Sequence, residues 1–208
     1  MKKSMCITYV VEGKLYVNIT NKCSNRCEFC IRNNGDGAYG SDSLWLEREP
    51  TVDEIIQSIF SWDLNDFPEL VFCGYGEPTY RLDDAVCVVK KVKERYPEIV
   101  TRINTNGHSD LINSRNTAKD FEGAFDIVSI SLNTPDASKY QKICHSIYGE
   151  KSFDSLLNFA KNVKNYVQNV QLSAVKDFLT AEEIKKCVEI SEQLGVNLRL
   201  RDYIPPET

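Results

Sequence analysis

The chain has 208 residues, a length that suits one globular domain with a single sizeable core, here taken as residues 1–208. A hydrophobic fraction of 42% and a charged fraction of 26% are ordinary for a soluble protein, and no apolar run approaches the roughly 18 residues of a membrane span. The net charge of -5 argues against a phosphate-tracking nucleic-acid binder, and the N-terminal MKKSMCITYVVEG lacks the apolar stretch and cleavage site of a secretion signal. A cytoplasmic protein is the expectation, with eight cysteines serving as thiols, ligands or catalysts rather than as disulfides.

In chain order, strands are predicted at 15–20, 69–74, 101–106, 125–133, 169–176 and 197–203, with helices between them. Two of the helices open on capping boxes, Thr51 with Glu54 and Thr180 with Glu183, and Gly195 closes the last one. Strand-to-strand spacings of roughly 25–45 residues are those of βαβ crossovers. Six such units fit this length, whereas a closed eight-stranded barrel needs about 250 residues. The expected fold is therefore α/β, a partial (β/α)6 barrel of parallel strands with helices outside.

The predicted strands have one apolar and one polar face. Leu15, Val17 and Ile19 alternate with Tyr16, Asn18 and Thr20, and Val128, Ile130 and Leu132 alternate with Ser129, Ser131 and Asn133. Arg102, Asn104 and Asn106 share a face, as do Arg199 and Arg201. If the apolar faces meet the helices, the polar faces turn into the barrel. Buried polar groups without partners cost several kcal/mol in total, so the interior is expected to hold water and a polar ligand.

The stretch NKCSNRCEFC places Cys23, Cys27 and Cys30 just after the first predicted strand, the end at which barrels carry their chemistry. A structural zinc site or an electron-transfer ferredoxin needs a fourth ligand, and the two histidines, His108 and His145, form no knuckle-like pair. An iron–sulfur cluster with one open iron needs only three thiolates, and the open iron can then bind a small molecule. Of the other thiols, Cys87 and Cys187 read as core fillers. Cys73 ends a strand with ambiguous facing. Cys144 falls in a loop-like stretch beside His145 as the one candidate for a hydrogen-atom donor or substrate contact.

The three cysteines with Phe29 between the last two, and Gly74-Tyr75-Gly76-Glu77-Pro78 at the end of the second predicted strand, resemble the radical S-adenosylmethionine (SAM) superfamily. The likeness covers roughly residues 15–203. WLEREPT (45–51), VFCGYGEPT (71–79), CHSIYGEKSF (144–153) and the ending LRLRDY are similar to the TatD-linked radical SAM proteins. The resemblance implies a [4Fe-4S] cluster on Cys23, Cys27 and Cys30, whose open iron takes SAM through its amino nitrogen and carboxylate. It implies that Glu77 holds the SAM ammonium, that Gly76 permits close backbone approach, and that Phe29 and Val175 lie by the adenine. Asn104, Ser131 and Asn133 then stand at the level of ribose or carboxylate contacts, and Arg201 meets the SAM carboxylate or an anionic substrate. Tyr75 departs from the family pattern, which has glycine in that slot. The expected activity is reductive cleavage of SAM to a 5′-deoxyadenosyl radical that abstracts hydrogen from substrate. A flavodoxin or ferredoxin is the implied reductant, with a functional link to a TatD-type nuclease. A wide barrel mouth suits a macromolecular substrate, while Arg102, Arg199 and Arg201 equally suit a small anion. The alternative is a non-catalytic iron–sulfur or electron-transfer module.

Overall fold

The computed structural model describes residues 2–205. It opens with a hairpin of β1 (Thr8–Val11) and β2 (Lys14–Val17), joined by Glu12 and Gly13 at positive φ (50° and 73°), the geometry that suits the twist of a two-residue hairpin. There follow α1 (Val52–Phe60), β3 (Glu69–Phe72), α2 (Leu82–Arg95), β4 (Val100–Thr105), α3 (Ser109–Asn113) and β5 (Ile127–Ser131). The chain continues through α4 (Ala137–Cys144), α5 (Lys151–Val163), β6 (Asn169–Val175), α6 (Ala181–Leu194) and β7 (Asn197–Arg201). One sheet runs in the order β1-β2-β3-β4-β5-β6-β7, and every pair from β2 to β7 is parallel. Sequential parallel neighbours with helical crossovers are the partial barrel expected. Both capping boxes form, and Gly195 takes φ 65° at the end of α6. The antiparallel β1 was not foreseen; its alternation is short, and its turn is marked only by Glu-Gly.

The facing of the strands follows the expected alternation. Leu15, Val17, Ile19, Leu70, Phe72, Ile103, Val128, Ile130, Leu132, Val170 and Leu172 enter one core cluster with Ile55 and Ile59 of α1, Val88 and Val92 of α2, and Leu156 and Phe159 of α5. Full burial of each such side chain contributes about 1.5–3 kcal/mol, so this outer layer fixes which face turns inward. The inward face carries Tyr16, Asn18, Cys73, Arg102, Asn104, Ser129, Ser131, Gln171 and Ser173. At its lower end Glu69 accepts from Arg102 at 3.0 Å and pairs with Lys14 at 3.3 Å. Arg102, expected to be open to an anionic substrate, is thus already neutralised by a carboxylate.

Of the two thiols read as core fillers, one departs from expectation. Cys87 lies on the solvent face of α2 rather than in the core, because Ala85, Val88, Val89 and Val92 already supply that helix's buried stripe. Cys187 is buried as expected.

Candidate functional site

The cysteine loop leaves β2 and is pinned to the C-terminal end of α4. Arg26 N–H donates to the Cys144 carbonyl (2.9 Å), Glu28 N–H to the Ile143 carbonyl (3.0 Å), and Ile147 N–H to the Ser24 carbonyl (2.9 Å). Cys144, expected in a loop, is the last residue of α4 and fully enclosed, because Asp136 caps that helix and carries it to His145 at φ 46°. Its sulfur accepts from Asn133 Nδ2 at 3.6 Å. The neighbouring Cys144 thiol, followed by burial, holds Cys27 well above the usual thiol range. Burial also pushes Cys23 up to about 12 and raises Cys30.

Beneath the loop lies a polar network that sequence reasoning passed over. His108 Nδ1 meets Ser24 Oγ at 3.0 Å, and its Nε2 meets the Tyr140 hydroxyl at 3.2 Å. Asn25 donates to that hydroxyl at 3.0 Å, while Asn106 Nδ2 donates to Ser24 Oγ at 2.8 Å. Residues of β4's end and α4 thereby hold Ser24 and Asn25, between the first two cysteines. The sequence offers His108 only a metal-ligand reading, and the signal for this role is its position two residues after Asn106 at a strand end.

Burial lowers His108 to about 4. The unfolded imidazole takes a proton near pH 6.5 and the folded one does not, so this group's contribution is intact above about pH 6.5 and is lost as pH falls toward 4. Urea denaturation should show the wild type losing roughly 2–3 kcal/mol more than His108→Gln between pH 7 and 4.5. Parallel losses in the two proteins would remove His108 as the cause.

The Gly74–Pro78 stretch packs directly on the start of the cysteine loop. Glu77 N–H donates to the Lys22 carbonyl at 2.7 Å. A Cβ on Gly76 would overlap the backbone of Thr20 and Lys22, and one on Gly74 would overlap the Asn18 side chain. The close approach that needs Gly76 is therefore to the chain itself. Gly76→Ala should cost about 3 kcal/mol in urea denaturation, the upper range for overpacking, since the opposing atoms are backbone. Tyr75, in the slot where the family pattern has glycine, is a buried peg. Its hydroxyl donates to the carbonyls of Gly35 (3.0 Å) and Gly37 (2.9 Å), and its ring sits 5.1 Å from Trp45, fastening the 31–46 loop over the barrel.

The Glu77 side chain is 4% exposed. Its Oε1 accepts from Thr79 N–H (3.1 Å), the Thr79 hydroxyl (2.7 Å) and the Thr105 hydroxyl (2.7 Å), and its Oε2 accepts from Asn106 N–H (2.7 Å). Burial outweighs these four donors and raises the carboxyl above the ordinary range. No cation is among its partners, and Oε2 keeps one free lone pair.

The remaining expected site residues lie where the parallel strands end. Asn104 lies beside the Cys73 thiol, Ser131 closes β5, and Val175 closes β6 with 5% exposure. Asn133 takes φ 60° and leaves its Oδ1 enclosed without a partner. Phe29 packs on Phe178 at 5.0 Å, and Phe178 on Tyr203 at 5.5 Å. Arg201 closes β7, with its Nε enclosed and unpartnered.

Among the described residues no three His, Cys, Asp or Glu side chains stand close enough to hold a single metal ion as they are. The donor set nevertheless fits an iron–sulfur cluster. Three thiols within eight residues share a desolvated loop in which burial opposes ionisation, the penalty that metal ligation offsets. The buried Glu77 carboxylate without a cation fits an ammonium group, and the orphaned Asn133 Oδ1 fits a hydroxyl donor.

A family model described as the Radical SAM superfamily matches residues 17–193. "Molybdenum cofactor biosynthesis protein 1" of Dictyostelium discoideum is 26% identical over 193 residues, covering 92% of this chain and 28% of that protein. A "GTP 3',8-cyclase" of Lactiplantibacillus plantarum is 25% identical over 190 residues, 91% of this chain and 53% of the relative. The chain thus spans about half or less of the curated relatives it matches. Streptococcus suis SuiB is similar in fold, with TM-score 0.67 and 17% identity bound to its precursor peptide SuiA, covering 91% of this chain and 39% of that one. Its structure bound to S-adenosylmethionine gives TM-score 0.63 and 17% identity, with 93% and 39% covered.

Proposed function

We propose, from the premise that this chain belongs to the Radical SAM superfamily, that it is a SAM-cleaving enzyme whose substrate enters the polar face of the barrel. The family's cofactors are a [4Fe-4S] cluster and SAM. Together, when bound, they supply a 5′-deoxyadenosyl radical that takes a hydrogen atom from substrate. Cys23, Cys27 and Cys30 would hold the cluster, which requires all three thiols to lose their protons. Glu77, fixed by Thr79, Thr105 and Asn106, would receive the SAM ammonium on the free lone pair of Oε2. Phe29 and Val175 offer apolar surface for adenine. Asn104, Ser131 and Asn133 offer hydrogen bonds to a ribose, and Arg201 offers a cation to an anionic group of the substrate. The 31–46 loop held by Tyr75 covers the barrel and excludes bulk water from it.

The observation that carries this reading is Glu77: a buried, cation-free carboxylate hydrogen-bonded to the very strand end that also anchors the cysteine loop. An electron-transfer module has no need of such a group. The test is anaerobic incubation of the reduced, reconstituted protein with SAM, with 5′-deoxyadenosine and methionine as the expected products. A protein that holds the cluster but releases neither is the non-catalytic module instead.

In the same reading the chain is a single radical SAM core of the TatD-linked group, acts in the cytoplasm, receives electrons from a flavodoxin or ferredoxin, and works alongside a TatD-type nuclease. No helix among the described residues is long and apolar enough to cross a membrane. The cluster is expected to be lost in air, because an iron without a protein ligand is open to oxidation.

A further inference from the structure

We propose that Arg199 and Arg201 form a subsite at the β7 rim of the barrel for an oxyanion, a phosphate or carboxylate group, of a small-molecule substrate. The proposal rests on the reading of the barrel interior as the substrate chamber. In register β7 sets Arg199 beside Ser173 and Arg201 beside Val175, which places both guanidiniums on the inward polar face. Alternate residues of a strand lie about 6.6–7 Å apart, so the two forks can close on one tetrahedral or planar oxyanion.

No carboxylate is among the groups that bear most on Arg201, and the neighbouring Asp202 is paired with Lys176. The ionisable groups that bear on Arg201 are Cys73, Arg199, Tyr39 and Tyr16. Burial and the like charge of Arg199 both work against its protonated form, while the thiol and phenols favour it. Among the described residues neither arginine enters an ion pair. Arg201 Nε is enclosed with no acceptor. Arg102 on the same face shows the contrast, since Glu69 meets it at 3.0 Å. Arg199 is exposed at the open edge of the sheet, but Arg201 is half-buried; a half-buried guanidinium beside a like charge, without a counter-charge, is unfavourable until an anion completes it.

The same geometry favours a small ligand over a polymer. The covering loop that follows β2 reaches across to the chain just past β7, so the two edges of the sheet are joined there. Tyr75 ties that loop down through Gly35 and Gly37, and Asn34 donates to the Ile204 carbonyl at 2.7 Å just past β7. Arg201 therefore stands near the covering loop, among phenols and a thiol, with Arg199 exposed at the rim beside it.

The test titrates the cluster-free chain with inorganic phosphate, and separately with malonate, by calorimetry at low ionic strength. Saturable binding of either probe is expected in the wild type. It should weaken at least tenfold in Arg199→Gln and in Arg201→Gln and vanish in the double variant, while the exposed Lys186→Gln binds as wild type. If a glutamine variant fails to fold, Arg201→Lys keeps the charge but loses the fork, and should still weaken binding several-fold. Wild type without saturable binding of either anion, or a folded double variant that binds as tightly as wild type, overturns the proposal. A second arm measures SAM affinity in the reconstituted protein, where Arg199→Gln and Arg201→Gln should stay within about twofold of wild type. A tenfold loss of SAM binding with anion binding unchanged assigns the pair to the cofactor carboxylate and overturns it too. Because the anion titration needs no cluster, absence of SAM cleavage would remove the proposed activity without deciding the oxyanion site.

Discussion

Cys27→Ala is expected to hold no cluster after anaerobic reconstitution, against about four irons per chain in the wild type. Cys23→Ala and Cys30→Ala should fail in the same way, since three ligands leave no redundancy. The fourth thiol in the neighbourhood makes the experiment sharper. Cys144 lies against Cys27, and a metal site short of one ligand could in principle recruit it. Its backbone carbonyl is committed to Arg26, its sulfur receives Asn133, and its side chain has no exposed surface. Cys144→Ala is accordingly expected to keep its full iron and sulfide content. Iron and acid-labile sulfide analysis of the four variants decides the matter. A full cluster in Cys27→Ala would mean that Cys144 is a ligand and that the assigned triad is wrong.

Much of this architecture was legible because each signal was local and repeated. Six strands at crossover spacing, two capping boxes and the alternation of Val and Leu with Ser and Asn all depend on neighbours a few residues away. The hairpin strand β1 was not legible, because its stability comes from register against β2 rather than from its own four residues. The same limit governed the site. The cysteine triad and Glu77 could be found by spacing, but the partners of Glu77 come from Thr79, Thr105 and Asn106, on two different elements. His108, Ser24 and Tyr140 converge from three segments, up to 116 positions apart between Ser24 and Tyr140, and no spacing announces them. Cys144 read as a loop thiol because CHSIYG looks like a turn, whereas the Asp136 cap and the buried Tyr140 and Ile143 carry α4 through it. Arg102 and Arg201 looked alike in the sequence; only the tertiary position of Glu69 distinguishes a paired arginine from an unpaired one.

Glu77→Gln is expected to weaken SAM binding by at least tenfold while the cluster is retained. The amide keeps the shape of the side chain but replaces a charge-assisted hydrogen bond to the ammonium with a neutral one, a difference of roughly 1.5–3 kcal/mol or about ten- to a hundredfold in affinity. The geometry adds a second, separable effect. With its oxygen kept on the three hydroxyl and amide donors of Thr79 and Thr105, the new NH2 must face Asn106 N–H, donor against donor. That conflict should lower stability by about 1–3 kcal/mol, visible in urea denaturation of the cluster-free chain, where no SAM is present. The pH dependence of binding then isolates the charge. Burial raises the Glu77 carboxyl, and only the ionised form attracts an ammonium, so wild-type SAM affinity should fall as pH is lowered toward that raised value. In Glu77→Gln this fall should be absent. The measurement is a spectroscopic SAM titration of the reconstituted cluster at several pH values for both proteins. Equal affinity and equal pH dependence would mean that the Gly-Tyr-Gly-Glu-Pro stretch only buttresses the cysteine loop through Thr20 and Lys22, and the ammonium would have to find its partner elsewhere.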